Sequence, residues 1–244
     1  VDDIYTLTAE STDKAGNVST KTIVFSVNRF GSNYYLSDDT NAYVKKYYNK
    51  SEQDIVIHEV NADELQNQTV HVVKNGETVN LNSDDYTIED TSDSKGWKEY
   101  VYTVKAHVFK DEGQYEVSVD SEDKAGNKQS NQIKDKPASF IVDKTKPSSV
   151  ITGVENKEIY NSQTREITIS VSDNYETGDA ELLINGKVVK KFSTSDVQKS
   201  NGKLKYTLDE SPKWQKLEVR STDAAGNESV SEGVNVLITS NALV

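Results

Sequence analysis

Hydrophobic and polar residues alternate along much of the chain, which is the pattern of strands with one buried face. The alternation is clearest over residues 55–60, 100–108, 167–172 and 203–208. Asn, Asp, Gly and Ser, which favour turns, separate these stretches. The pattern therefore predicts a chain built from short antiparallel strands.

The chain also repeats itself at the scale of a whole domain. The motif Asp-x-Ala-Gly-Asn occurs three times, at residues 13–17, 123–127 and 223–227. A predicted strand precedes each copy, and another follows it, at 22–27, 139–142 and 234–238. An Asp side chain accepts hydrogen bonds from the amides that follow it, and Gly tolerates positive φ. We therefore expect three equivalent β-hairpins with positive φ at the glycine of each turn, Gly16, Gly126 and Gly226.

Two further sequence signals indicate which fold these strands form. Asn75-Gly76 and Asn185-Gly186 lie between alternating strands, and Asn-Gly predicts a type I′ hairpin turn. The segment Asp111–Val117 resembles the approach to strand F in immunoglobulin domains, which makes Tyr115 the expected corner tyrosine. Gln215 occupies the matching position later in the chain, so that corner must close differently. About seven strands in about 100 residues indicate an immunoglobulin-like sandwich.

Composition agrees with a fold made of strands. Val, Ile and Thr number 28, 13 and 20, whereas Leu and Ala number 11 each. β-Branched residues favour strands, and Leu and Ala favour helices. The predicted fold class is all-β, with tandem immunoglobulin-like β-sandwiches arranged end to end.

The chain resembles the tandem immunoglobulin-like repeats of Gram-positive bacterial cell-surface, adhesin-like proteins. The resemblance rests on the three turn motifs, on residues 25–32 (Phe-Ser-Val-Asn-Arg-Phe-Gly-Ser) and on residues 142–147 (Val-Asp-Lys-Thr-Lys-Pro). It implies a secreted, extracellular protein attached to the cell wall, with neighbouring domains of the same chain as partners. Pro147 restricts the backbone of the second link, which we expect to be short and stiff.

The repeats predict three segments. Residues 33–145 and 146–244 are each expected to form one immunoglobulin-like domain. Residues 1–32 align with the final two strands of such a domain and are expected to be the C-terminal hairpin remnant of a preceding one. A two-stranded hairpin cannot bury its own apolar side chains, so this segment should pack on a neighbouring molecule or stay mobile. The chain contains no Met, even at position 1, which leads us to expect a piece of a longer protein.

Charge and residue content exclude several functions. The formal net charge is −12, from 28 basic and 40 acidic residues. That balance argues against binding nucleic acid or an anionic membrane surface, since both require basic side chains. No apolar run approaches the about 18 residues of a membrane span, so we expect no membrane insertion. The absence of Cys excludes disulfides and thiolate chemistry.

No catalytic, cofactor-binding or metal-ligating residue is assigned, and neither enzymatic activity nor a cofactor is expected. No Gly-x-Ser-x-Gly nucleophile motif is present. Zinc binding would require His58, His71 and His107 to converge with a carboxylate such as Glu59. Calcium binding at a domain end would use an acidic group such as Asp120, Glu122 and Asp123. Solvated strand and loop residues are the simpler interpretation of both sets.

The burial or exposure of a group of aromatic residues distinguishes two functional hypotheses. Five tyrosines lie within 15 residues, namely Tyr34, Tyr35, Tyr43, Tyr47 and Tyr48. If they are buried, they stabilise the sandwich, and the chain is a structural stalk or spacer. If they form one exposed surface on the 33–145 domain, they could stack on sugar rings or bind a host protein, as an adhesin does.

Overall fold

The structure of the chain is a computed structural model that describes residues 1–93, 96–132 and 137–241. Two compact units are present: Val1–Tyr47 with Ser51–Val142, and Tyr48–Lys50 with Asp143–Val244. Strands dominate both. In chain order the elements are β1 (Asp3–Thr12), β2 (Val18–Val27), β3 (Asn33–Leu36), α1 (Asp38–Lys46), β4 (Tyr48–Asn49), β5 (Ile55–Asn61), β6 (Leu65–Lys74), β7 (Glu77–Thr78), β8 (Tyr86–Asp90), β9 (Lys98–Val104), a 3-10 helix (Ala106–Phe109), β10 (Gly113–Asp123), β11 (Lys128–Ser130), β12 (Ala138–Val142), β13 (Ser148–Thr152), β14 (Glu158–Asn161), β15 (Thr164–Ser172), β16 (Thr177–Ile184), β17 (Lys187–Phe192), α2 (Thr194–Lys199), β18 (Lys203–Asp209), β19 (Gln215–Asp223), β20 (Glu228–Val230) and β21 (Val234–Thr239).

The first unit contains an immunoglobulin-like sandwich. One sheet has the strand order β3-β5-β9-β8, and the other contains β12-β10-β6-β7. In immunoglobulin terms these are the A-B-E-D and G-F-C-C′ arrangements. Alternating side chains from both sheets meet in a core that is fully or almost fully buried. Its largest fully buried members are Tyr102, Tyr115, Phe109 and Phe140.

The second unit repeats this architecture with small differences. Its sheets have the orders β13-β15-β18 and β14-β21-β19-β16-β17, and β14 runs parallel to β21. The core is aliphatic rather than aromatic, with Ile167, Ile169, Leu182, Leu208 and Leu217 fully buried. Both units are therefore all-β sandwiches of the immunoglobulin type, as the sequence predicts.

The repeated turns take the conformation expected from their residues. Gly16, Gly126 and Gly226 have φ values of 87°, 88° and 92°. In each turn the Asp accepts a hydrogen bond from the backbone N–H of the Asn four residues later, at 2.8–2.9 Å. Both Asn-Gly pairs also have positive φ at both residues, as a type I′ turn requires.

The two predicted corners also form, with different chemistry. The Tyr115 hydroxyl donates to the backbone oxygen of Asp111 at 2.8 Å. In the second unit, Gln215 Nε2 donates to the backbone oxygen of Asp209 at 3.0 Å. The glutamine amide of the second unit thus makes the same kind of hydrogen bond, to a backbone oxygen earlier in the chain, that the tyrosine hydroxyl makes in the first unit.

Two helices and one strand end differ from the sequence prediction. α1 begins after Ser37, whose hydroxyl accepts from the Thr40 N–H, and acidic residues occupy its first turn. α2 begins at a capping box formed by Ser193 and Asp196 and occupies the connection between β17 and β18. The strand predicted over 100–108 ends at Val104, and the 3-10 helix that follows contains His107.

β1 and β2 form a two-stranded hairpin that belongs to neither sheet of the sandwich. Its register pairs Asp3 with Val27 and Thr12 with Val18. Asp2 accepts hydrogen bonds from the N–H groups of Arg29 and Phe30, which ties the chain start to the end of the hairpin. The segment boundaries that the sequence predicts at residues 32 and 145 fall between β2 and β3 and between β12 and β13.

Candidate functional site

Three carboxylates converge in the second unit. Asp143 directly follows β12, Asp173 directly follows β15, and Asp223 is the last residue of β19. One oxygen from each carboxylate lies within 4.8 Å of the others. Asp143 and Asp223 are buried, and Asp173 is half-buried. We call these three residues the carboxylate cluster.

The repeated turn positions Asp223 in this cluster. Its Oδ1 accepts hydrogen bonds from the N–H groups of Gly226 and Asn227 at 2.7 and 2.8 Å. Asn227 Nδ2 donates to Asp223 Oδ2 at 2.8 Å and also to the backbone oxygen of Asp143 at 2.9 Å. The turn asparagine therefore connects the end of β19 to the residue that follows β12.

Carboxylate oxygens are the ligands that hard divalent cations such as Ca²⁺ take in proteins. The cluster directs three of them toward one point, and backbone or solvent oxygens would have to complete a shell of six to eight. Like charges at this distance also repel one another. The sequence predicts no site at these residues, because the three acids lie far apart in the chain. The signal that points to them is the equivalence of strand ends between the repeats.

The equivalent positions in the first unit hold a different set, Asn28, Asn61 and Asp123, which we call the amide cluster. Asn28 directly follows β2, and Asn61 and Asp123 end β5 and β10. Asn28 Nδ2 donates to Asn61 Oδ1 at 2.7 Å and to Asp123 Oδ2 at 2.8 Å. Asn61 Nδ2 donates to Asp123 Oδ2 at 3.2 Å. Here one carboxylate is surrounded by amide donors.

Hydrogen bonds also shift the titration of Asp123. Burial acts to raise the pKa of this carboxyl, but hydrogen bonds from Asn127, Asn61 and Asn28 outweigh it and hold the pKa below its usual value. These donors stabilise the ionised form. The amide cluster thus keeps its carboxylate charged.

A second buried carboxylate of the first unit accepts hydrogen bonds from side chains of both sheets. Glu59 on β5 is fully buried and accepts hydrogen bonds from four hydroxyl groups. Tyr34 donates at 3.0 Å and Tyr102 at 2.5 Å, and Ser32 and Ser121 complete the set. Burial, and secondarily the charge of Glu59, raise the pKa values of both tyrosines above their ordinary range. The hydroxyls are therefore structural donors.

The five clustered tyrosines do not share one surface. Tyr34 and Tyr43 are each 9% exposed and belong to the core, and Tyr47 and Tyr48 are half-buried. Tyr35 is 46% exposed and stacks on the His58 ring, with centroids 4.4 Å apart. A hydrogen bond to Glu99 is the main cause that raises the pKa of Tyr35 to about 12.

The three histidines do not converge either. His58 pairs with Glu99, His71 with Asp120 and His107 with Asp85, each at 2.8–3.1 Å. Their partners are three different carboxylates on different elements. The alternative calcium set also separates, because Asp120 is exposed beside His71 while Asp123 is buried in the amide cluster. The geometry thus brings together neither group that the sequence analysis left open.

No helix in the part of the chain that the structure describes is long and apolar enough to cross a membrane.

The chain is similar to known proteins in three-dimensional structure and not in sequence. No protein-family model matches the chain. No curated protein matches it at a significant level.

Among solved structures, the chain is similar to the ectodomain Ig1–Ig3 of mouse nectin-like molecule 4, with a TM-score of 0.41, 9% identity and coverage of 94% of this chain and 75% of that one. It is similar to the fibronectin(III)-like modules of Clostridium thermocellum CbhA, with a TM-score of 0.37, 12% identity and coverage of 85% and 94%. A tetra-tandem repeat in the extending region of a large adhesion protein gives a TM-score of 0.34, 16% identity and coverage of 97% and 57%.

Proposed function

We propose that the chain is a structural spacer, a non-catalytic stalk of tandem immunoglobulin-like domains in a bacterial cell-surface protein. The observation that carries this proposal is the use of its tyrosines. Tyr34, Tyr43 and Tyr102 are buried, and their hydroxyls donate to Glu59 or to backbone inside the first unit. Side chains that are buried and hydrogen-bonded in the interior are not available to bind a sugar or a protein.

The surface chemistry supports the same role. A net charge of −12 keeps copies of a secreted chain apart and soluble. The outward positions of the strands are mainly polar, as in β15 and β18, where buried residues alternate with exposed or half-buried Thr, Ser, Lys and Glu. Such faces suit a module whose task is to separate other parts of a protein.

Small-angle scattering of the full chain tests the spacer. A compact globule of this length would have a radius of gyration of about 18 Å. Domains arranged end to end should exceed that value clearly, and should do so equally at low and high salt. A compact value would contradict the proposal.

The alternative is an adhesin that binds a glycan or a host protein, and Tyr35 is the residue on which it depends. Tyr35 offers an exposed ring beside His58 and Glu99. We expect the chain to give no signal above background on a glycan array. Binding of a glycan to the native chain that is lost in Tyr35→Ala would overturn the spacer proposal in favour of the adhesin. In the control Trp214→Ala, on the second unit, the same binding should persist.

A further inference from the structure

The N-terminal hairpin reproduces the interior of a sandwich on an open surface. The Tyr5 and Phe25 rings stack with centroids 5.8 Å apart and planes inclined by 22°. The equivalent pair in the first sandwich, Tyr115 and Phe140, has a separation of 5.7 Å and an angle of 23°. The corner bond also recurs, because the Tyr5 hydroxyl donates to the backbone oxygen of Val1 at 2.8 Å.

The burial of these equivalent residues differs greatly. Leu7, Ile23 and Phe25 are 56%, 48% and 46% exposed. Their counterparts Val117, Ala138 and Phe140 are fully buried. We call the side chains of Tyr5, Leu7, Ala9, Ile23 and Phe25 the hairpin apolar face. A face of this kind on an otherwise polar chain marks an interaction site.

The first sandwich shows what covers the same face when the fold is complete. β6 pairs antiparallel with β10, from Tyr115 opposite Lys74 to Asp123 opposite Leu65. In the second unit β16 pairs with β19 in the same way. Within the part of the chain that the structure describes, β1 pairs with β2 and with no other strand, so its other edge presents backbone groups without a neighbouring strand there.

Side chains from the rest of the sandwich then cover the face. Phe109 and Tyr43 meet the Phe140 ring edge-on at 5.2 and 5.0 Å. Val70 and Val72 point from β6 into the same core. The covering chemistry is thus a strand with apolar residues at alternate positions, followed by an Asn-Gly turn, with aromatic residues behind it.

We infer that the open edge of β1 and the hairpin apolar face together form a binding site for the first strands of an immunoglobulin-like domain of this repeat type. A strand with the chemistry of β6 pairs antiparallel with β1, and its apolar side chains pack on Leu7 and Phe25. The register places the residue that corresponds to Lys74 opposite Tyr5. Backbone pairing supplies affinity, and the alternating side chains supply selectivity, as in other strand-addition complexes.

The test joins residues 65–79 of this chain, which contain β6, the Asn-Gly turn and β7, to Val1 of the full chain through a flexible Gly/Ser linker. Tethering raises the effective concentration of the added strand to the order of millimolar. Hydrogen exchange is then measured on Asp3–Thr12. We expect exchange in β1 to slow at least about tenfold relative to the untethered chain.

Two matched variants of the added strand separate specific pairing from a general effect of the tether. Val72→Asp, on the side that faces the core in β6, should abolish the protection. Thr69→Asp, on the outward side, should preserve it. Unchanged exchange in the tethered chain, or protection that survives Val72→Asp, would overturn the inference. Protection of β1 in the untethered chain that grows with protein concentration would also overturn it, because a second copy would then be the occupant.

Discussion

The amide cluster and the carboxylate cluster occupy equivalent positions in the two units, but they differ in charge. The first contains one carboxylate and two amides, and the second contains three carboxylates. In the amide cluster, two asparagines donate hydrogen bonds to a single carboxylate. In the carboxylate cluster, Asp173 takes the position of Asn61, and Asp143 takes that of Asn28. The comparison teaches that the repeat conserves the backbone positions at the end of each sandwich, while the side chains decide how much charge is concentrated there.

The difference has a simple chemical origin. An asparagine amide both donates and accepts, so a group of amides and one carboxylate can satisfy its own hydrogen bonds. Ionised carboxylates only accept, so three of them cannot bond to one another and instead accept from neighbouring donors, such as the N–H groups of Thr145, Tyr175 and Asn227. One oxygen in place of an NH2 group, at each of two positions, thus changes a group whose members bond to one another into a concentration of negative charge.

The largest expected effect comes from making the first cluster resemble the second. Asn61→Asp places a carboxylate beside Asp123 in a fully buried position and removes the Nδ2 donor. We expect a loss of about 3–5 kcal/mol in the unfolding free energy of the first unit. Trp97 fluorescence during urea unfolding reports on this unit when Trp214 is changed to Phe. The matched variant Asn80→Asp, at an exposed position, should cost little, and an equal cost for the two would contradict the role of the cluster.

A smaller effect, equal in both units, is expected for the turn that positions Asp123 and Asp223. Gly126→Val and Gly226→Val place a side chain at positive φ, while an added Cβ meets no atom within 4 Å. The cost is therefore conformational, about 1–2 kcal/mol in each unit. Urea melts of the two variants should show the same shift, each in its own unit. A shift in one unit only would show that the turns are not equivalent.

The reverse exchange is expected to stabilise the second unit. Asp173→Asn removes one charge from the carboxylate cluster and supplies an amide donor. In low-salt buffer with a chelator we expect a gain of about 1 kcal/mol, which added salt should reduce. Trp214 fluorescence measures it in a Trp97→Phe background. The control Asp209→Asn, at an exposed strand end, should change little. Asp173 Oδ1 accepts a hydrogen bond from the Tyr175 N–H at 2.9 Å, which an asparagine Oδ1 can keep. A loss of stability in Asp173→Asn would contradict net repulsion within the carboxylate cluster.

The smallest effect concerns pH. Because the pKa of Asp123 is lower in the folded chain than its ordinary value of 3.8, its ionisation stabilises the folded state above that value. This contribution is lost as the pH falls through the folded pKa. Asn28→Ala removes one donor and should therefore weaken the dependence of the first unit's urea midpoint on pH between about 4 and 2. An identical pH profile in the variant would contradict the contribution of Asn28.

Local sequence was sufficient for the turns, the corner and most strands. The Asp and Gly of each turn motif fix its hydrogen bonds and φ within five residues, so distant contacts were not needed. Tyr115 likewise bonds to a backbone oxygen only four residues upstream. The sequence prediction contains no helix at α1, although Ser37, two acids in the first turn and a lysine pair in the last turn are typical helix signals. The strand pattern of the rest of the chain outweighs this local signal.

Burial could not be inferred from the same local signals. The tyrosine-rich segment has one sequence pattern, yet Tyr34 donates to the buried Glu59 while Tyr35, the next residue, is exposed and stacks on the half-buried His58 ring. Alternation along β3 explains why the two point in opposite directions. Which direction is the interior depends on the sheet that β3 joins: β3 pairs with β5, and β5 pairs with β9, so residues far apart in the chain become neighbours.

The sequence by itself determined that this protein is a series of strands with three equivalent turns, because each turn depends on side chains and φ preferences a few residues apart. Only the tertiary structure decided which apolar faces are covered and which charges meet. Leu7 and Val117 follow the same local pattern, but one is exposed and the other buried, because burial requires neighbouring strands from elsewhere in the chain. Asp143, Asp173 and Asp223 come together for the same reason: these three residues of the second unit are far apart in the chain and become neighbours only when its sandwich closes.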